Sequence, residues 1–191
     1  MKIVVVVNNY PAYKKEGETG WYLLADSAMT NTGKPFYAPE EIGPIEVSLA
    51  PAIRICRLGK FIKRKFASRY YSEFAPALHF HCPEMAHRLQ IEGLPQDAAR
   101  NFDRSLFVGD FLSWEADTRL EMKKNGEKVS EFLFEEMIKA PDHLIENFSV
   151  INTLKIGDIM LPALSAPLIV APGDYLEVLV NNIPSFHVKV R

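Results

Sequence analysis

Ile45–Ile55 reads IEVSLAPAIRI, and its front half alternates. In an extended strand Glu46, Ser48 and Ala50 fall on one side, Val47 and Leu49 on the other. A carboxylate and a hydroxyl two residues apart therefore point the same way. A neighbouring strand that carries further polar groups would complete a polar site at this place. Taken alone, the strand also reads as an edge strand with Glu46 in water, because isolated charged residues are usually exposed.

The 191 residues suffice for one domain with a real core, or for one domain with a small N-terminal layer. Hydrophobic and charged fractions of 48% and 24% are those of an ordinary globular chain. A net charge of −2 argues against a dedicated nucleic-acid binder. Thirteen prolines and ten glycines point to turns and short strands rather than a helical bundle. Two cysteines, Cys56 and Cys82, are too few for a disulfide framework, which implies a reducing compartment. The apolar run Ile3–Val7 is too short for a signal-peptide core or a membrane span. A cytoplasmic protein without a membrane partner is the expectation.

Lys2–Val7 is β-branched and reads as a buried strand ended by Asn8-Asn9-Tyr10-Pro11. Ala12–Glu16 suggests one helical turn, with Tyr13 and Glu16 on one face. Arg54–Arg69 is basic, with Leu58, Phe61, Ile62 and Phe66 at helical spacing, and predicts an amphipathic turn with a solvated basic face; a patch for anionic ligands is the other reading. Tyr70–Phe80 returns to strand character, and Pro76 within it predicts a bulge or an edge. Pro83 suits the first position of a helix reaching about Ile91. Ser105–Trp114 and Thr118–Lys123 read as strands, and Asn125-Gly126 as a type I′ hairpin turn. A helix opens at Pro141, with Leu144, Ile145, Phe148 and Ile151 on its apolar face. Two Gly-Asp turns, at Gly157-Asp158 and Gly173-Asp174, each feed an apolar strand, and a last hairpin turns around Asn181-Asn182.

The order of these pieces resembles the fumarylacetoacetate hydrolase family across nearly the whole chain. The matching segments are Asn9-Tyr10, Ser27-Ala28-Met29, Lys34-Pro35-Phe36-Tyr37, the Glu-x-Glu-like Glu46-Val47-Ser48-Leu49, Gly59-Lys60, Arg100-Asn101-Phe102-Asp103 and Asn125-Gly126-Glu127. The resemblance implies an α+β, mainly β fold: a mixed β-roll or β-sandwich with few short helices. Residues 1–40 would form a small N-terminal α/β portion and residues 41–191 the β-roll. It further implies a homodimer and a small anionic 2-oxo-acid-like ligand. Family enzymes cleave, isomerise or decarboxylate acylpyruvate-like 2-oxo acids with Mg²⁺, Mn²⁺ or Ca²⁺ held by three carboxylates. Hard cations take oxygen ligands and polarise the ketone and enolate oxygens of such substrates.

Carried over residue by residue, the metal positions are Glu46, Ser48 and His79. The catalytic positions are Tyr13 and Glu16, where the family has a water-activating His–Glu dyad, and Arg100, where it has a lysine. Asn9, Tyr10, His81 and Asp103 are the expected substrate-binding residues. One carboxylate, one hydroxyl and one imidazole make a poor site for Mg²⁺. A neutral phenol is a weak base at neutral pH. These departures lead to the expectation of a binding or scaffold homodimer whose catalysis has lapsed. A working enzyme of the family with a remodelled metal site is the alternative. His79, His81 and His87 lie close together in sequence, so zinc held by nitrogen ligands is a further reading, although their spacing fits no closed zinc motif. Paired core or surface histidines explain them as well.

Overall fold

The computed structural model describes residues 1–13, 18–39 and 42–191. The fold is α+β and mainly β, built on a curled sheet. Its axis is the antiparallel pair β4 (Ile45–Arg54) and β5 (Glu73–His81), in register from Glu46 opposite His81 to Ile53 opposite Phe74. The flanking strands are β1 (Ile3–Val7), β2 (Gly20–Leu24), β3 (Met29–Asn31), β6 (Leu106–Val108), β7 (Leu112–Ser113), β10 (Ile159–Leu161) and β11 (Leu168–Val170). The sheet runs β2-β1-β10-β4-β5-β6-β3, with β11 added beside β4 and β7 beside β5. A second sheet orders as β13 (Ile183–Lys189), β12 (Tyr175–Val180), β8 (Arg119–Lys124) and β9 (Glu127–Leu133).

The alternation of β4 and β5 sorts two cores. Val47, Leu49, Ile53, Phe74, Leu78 and Phe80 face outward from the curl and pack with Phe36, Met122, Phe132 and Val178. Ala50, Ala52, Ala75 and Ala77 face inward and pack with Ile3, Val5, Leu24, Leu106 and Leu161. Leu24 comes from one end of the strand order and Leu106 from near the other, so the sheet curls until its two ends meet. Alanines on the inner wall leave room for that closure.

Local signals explain most elements. Pro83 opens α2 (Pro83–Ile91), and the Cys82 sulfur at its N-cap accepts from the Met85 amide at 3.4 Å. Pro141 opens α3 (Pro141–Ile151), with Leu144, Ile145 and Phe148 buried. Asn125-Gly126 and Asn181-Asn182 all have positive φ, as type I′ turns require.

Four expectations from the sequence are corrected. β4 is flanked on both sides and is not an edge strand. Pro76 makes neither a bulge nor an edge but lies opposite Pro51 in mid-ladder. Two facing prolines cannot exchange hydrogen bonds, so their nitrogens point outward, each toward a gap: between β6 and β7 for Pro76, and between β10 and β11 for Pro51. The same gap splits the expected Ser105–Trp114 strand into β6 and β7. The basic segment yields only the short α1 (Arg64–Ala67) and a turn, because positive φ at Phe61 breaks the helix and Gly59 is bridged to Leu154. Leu58, Phe61 and Phe66 stay exposed there.

Candidate active site

Where β4 begins and β5 ends, polar residues replace the alanines on the inner wall. Glu46 faces His81, Ser48 faces His79, and all four share one face of the sheet. A cavity of about 660 Å³ opens over this end. Glu46 and His81 form its floor, with Tyr22 from β2 and Val7 and Asn8 from the end of β1. Pro83, Ala86, His87 and Gln90 line it at i, i+3, i+4 and i+7 along one face of α2, and Gln96, Ala99 and Arg100 close the rim.

Below the floor the site is sealed. Ser48 and His79 are fully buried. The His79 Nδ1–H donates to the Ser105 carbonyl at 3.1 Å, and the Tyr22 hydroxyl donates to His79 Nε2 at 2.8 Å. A carbonyl only accepts, so this chain fixes the tautomer and occupies both ring nitrogens. Burial first, then His81 and the Arg100 guanidinium, push His79 down to about 3 against the Ser105 bond that favours its proton. It is a neutral imidazole at every ordinary pH. The Ser48 hydroxyl has no hydrogen-bond partner among the described residues.

The charges on the cavity wall are few. His81 Nε2 lies 3.5 Å from Glu46 Oε2. The Arg100 guanidinium rests on the Tyr22 ring, 4.5 Å from its centroid, and donates to Gln96 Oε1. Among the described residues it pairs with no carboxylate.

The expected site residues thus divide. Glu46, His81 and Arg100 line one cavity, with Ser48 and His79 directly beneath it. Asn9 is buried away from the cavity; its side chain bonds the Lys139 amide and carbonyl and the Pro162 carbonyl. Tyr10 stacks on Phe132 and donates to Glu136 at 2.6 Å, which makes it a core residue. Asp103 is exposed and off the cavity wall. The Tyr13 side chain and Glu16 lie outside the described residues. Sequence reasoning missed Tyr22, Gln90 and Gln96. Tyr22 carried a signal, since it shares a strand face with the inward Leu24.

Residues 2–191 match the family model described as fumarylacetoacetate (FAA) hydrolase, C-terminal. The chain is 26% identical over 203 residues to the mouse protein named oxaloacetate tautomerase FAHD1, mitochondrial, covering 99% of this chain and 91% of that one. It is 23% identical over 172 residues to oxaloacetate tautomerase YcgM of Escherichia coli strain K12, covering 84% and 78%. The fold matches the crystal structure of fumarylpyruvate hydrolase from Pseudomonas aeruginosa in complex with Mn²⁺ and pyruvate, with a TM-score of 0.91, 17% identity, and coverage of 100% and 89%. These relatives bear the names of enzymes, which overturns the expectation of a scaffold with lapsed catalysis; the alternative, a working enzyme with a remodelled site, fits them better. Among the described residues no helix is long and apolar enough to cross a membrane.

A resident divalent cation fits this donor set poorly. His79 has no free nitrogen, Ser48 is a neutral hydroxyl below the floor, and Glu46 is the one carboxylate lining the cavity among the described residues. Among those residues no group of three His, Cys, Asp or Glu side chains converges to hold a metal. Among the described residues, one carboxylate against one guanidinium leaves no net negative charge to attract a hard dication.

Proposed function

The chain belongs to the fumarylacetoacetate hydrolase family, and from that premise we propose that it is an enzyme interconverting the tautomers of a small 2-oxo acid of the acylpyruvate or oxaloacetate class. The observation that carries the reading is Arg100, a guanidinium without a carboxylate partner among the described residues, on the rim of the cavity that also holds the Glu46–His81 pair. The substrate carboxylate sits against Arg100, where a planar fork of donors matches its two oxygens. Glu46 removes a proton from the carbon beside the ketone. The C–H electron pair becomes the C=C bond, and the carbonyl oxygen becomes an enolate, stabilised by the Arg100 charge and the His81 imidazole. Glu46 then returns the proton to that oxygen. One proton moves from carbon to oxygen, and nothing else is consumed.

Tautomerisation is favoured over hydrolysis because hydrolysis also needs a held water and its base, the role the resemblance gives to Tyr13 and Glu16. The working unit is proposed to be a homodimer, the assembly the same resemblance implies. The test follows the ultraviolet decay of enolic oxaloacetate. The natural chain should exceed the buffer rate, and Arg100→Gln and Glu46→Gln should each lower kcat/KM by about a hundredfold, as loss of a charge partner or base does. A natural-chain rate equal to buffer, for both oxaloacetate and an acylpyruvate, would refute the proposal.

A further inference from the structure

Two observations are left over from the function just proposed: a histidine buried with both nitrogens occupied, and the aromatic ring on which the Arg100 guanidinium lies. They belong to one construction. The Ser105 carbonyl holds His79, His79 accepts the Tyr22 hydroxyl, and the Tyr22 ring carries Arg100. We infer that the cavity binds the carboxylate end of its ligand on Arg100 without a divalent cation, and that Tyr22 and His79 are positioning residues holding that arginine over the floor. This rests on the reading of the ligand as a 2-oxo acid.

A guanidinium at the rim of a cleft, unpaired among the described residues, is an anion-binding group that needs no metal to act. Arginine loses less freedom per hydrogen bond when its plane is fixed beforehand, and a ring 4.5 Å away fixes that plane. The ring in turn cannot swing, because its hydroxyl is bonded to an imidazole that is fully buried and anchored to a strand-end carbonyl. The neutral His79 is thus a strut and not a ligand. A dication placed beside Glu46 would also be repelled by the same guanidinium.

Calorimetry with oxalate as the probe tests this, in excess EDTA and again with added Mn²⁺. Oxalate should bind the natural chain equally in both. Arg100→Gln should abolish binding, and Arg100→Lys should weaken it more than tenfold, since a point charge does not reproduce the fork. Tyr22→Phe keeps the ring but frees it from His79 and should weaken binding severalfold. Tyr22→Leu removes the platform and should weaken it further. A merely structural Tyr22 would give equal losses for the two variants, or changes that track thermal stability alone. Binding that appears only with Mn²⁺, oxalate binding by Arg100→Gln at natural affinity, or no binding under either condition overturns the inference. Metal-free binding through Arg100 in a protein without turnover would sink the proposed function and leave this inference standing.

Discussion

Between neutral pH and about pH 5, acid should destabilise this protein through His79. The imidazole titrates near 6.5 in an unfolded chain and is held down to about 3 in the folded one. The folded pKa is the lower one, so the unfolded state binds the extra proton. Stability is complete above about pH 6.5 and is lost as pH falls toward 3. At pH 5 the unfolded chain is almost fully protonated at this site and the folded chain is not. The imbalance of about 1.5 pH units is worth about 2 kcal/mol, at about 1.4 kcal/mol per unit. The comparison is His79→Gln. Its carboxamide does not titrate, yet it can donate to the Ser105 carbonyl and accept from Tyr22. All other carboxylates and histidines remain in both proteins, so they cancel in the difference. Urea unfolding followed by the fluorescence of Trp21 and Trp114, at pH 7.5 and pH 5.0, supplies the four free energies. The natural chain should lose about 2 kcal/mol more than the variant between the two pH values. Equal losses would mean that His79 is protonated in the folded state, and the fixed tautomer and the strut would fall with it.

Two further outcomes concern stability away from the cavity. Tyr10→Phe removes a hydroxyl that donates to Glu136 at 2.6 Å and accepts from the Leu133 amide at 3.1 Å, and should cost about 1–3 kcal/mol in denaturant unfolding without changing oxalate affinity. Asp158 is almost fully buried; burial alone would raise its carboxyl, but the Lys2 side chain and amide and the Lys155 amide outweigh that and hold it below the usual range. Its stabilisation is therefore present above about pH 4 and lost as pH falls further, and Asp158→Asn should cost about 3 kcal/mol at pH 7 and progressively less below pH 4, measured by the same unfolding curves.

Features whose cause is local were legible in the sequence. Pro83 and Pro141 start helices because of what proline does to its own residue. Asn125-Gly126 turns because those residues tolerate positive φ. The common face of Glu46 and Ser48 follows from the two-residue period of a strand. Features set by distant partners were not legible. Pro76 sits mid-sheet because neighbouring strands happen to stop beside it. The helix in the basic segment is confined to Arg64–Ala67 because Leu154 and Ser149 hold Gly59 and Phe61 by their backbones. Tyr22 meets His79 across 57 residues, and no spacing rule links them. The sequence also placed Tyr10 and Asp103 at the ligand by resemblance alone; the fold puts one in the core and the other in solvent.

The departures from the family pattern make sense as a set. Ser48 and His79 are fully buried and face each other across the ladder. A carboxylate at either position would be a buried anion, costly unless a cation came with it. Here both positions are neutral, and the cation is covalently part of the chain, on Arg100 at the cavity rim. Glu46 lines the cavity and is partly exposed to solvent. Each substitution alone would look like damage to a metal centre. Together, on the metal-free reading proposed above, they leave Arg100 as the cation that an incoming carboxylate meets, in the place a dication would otherwise take.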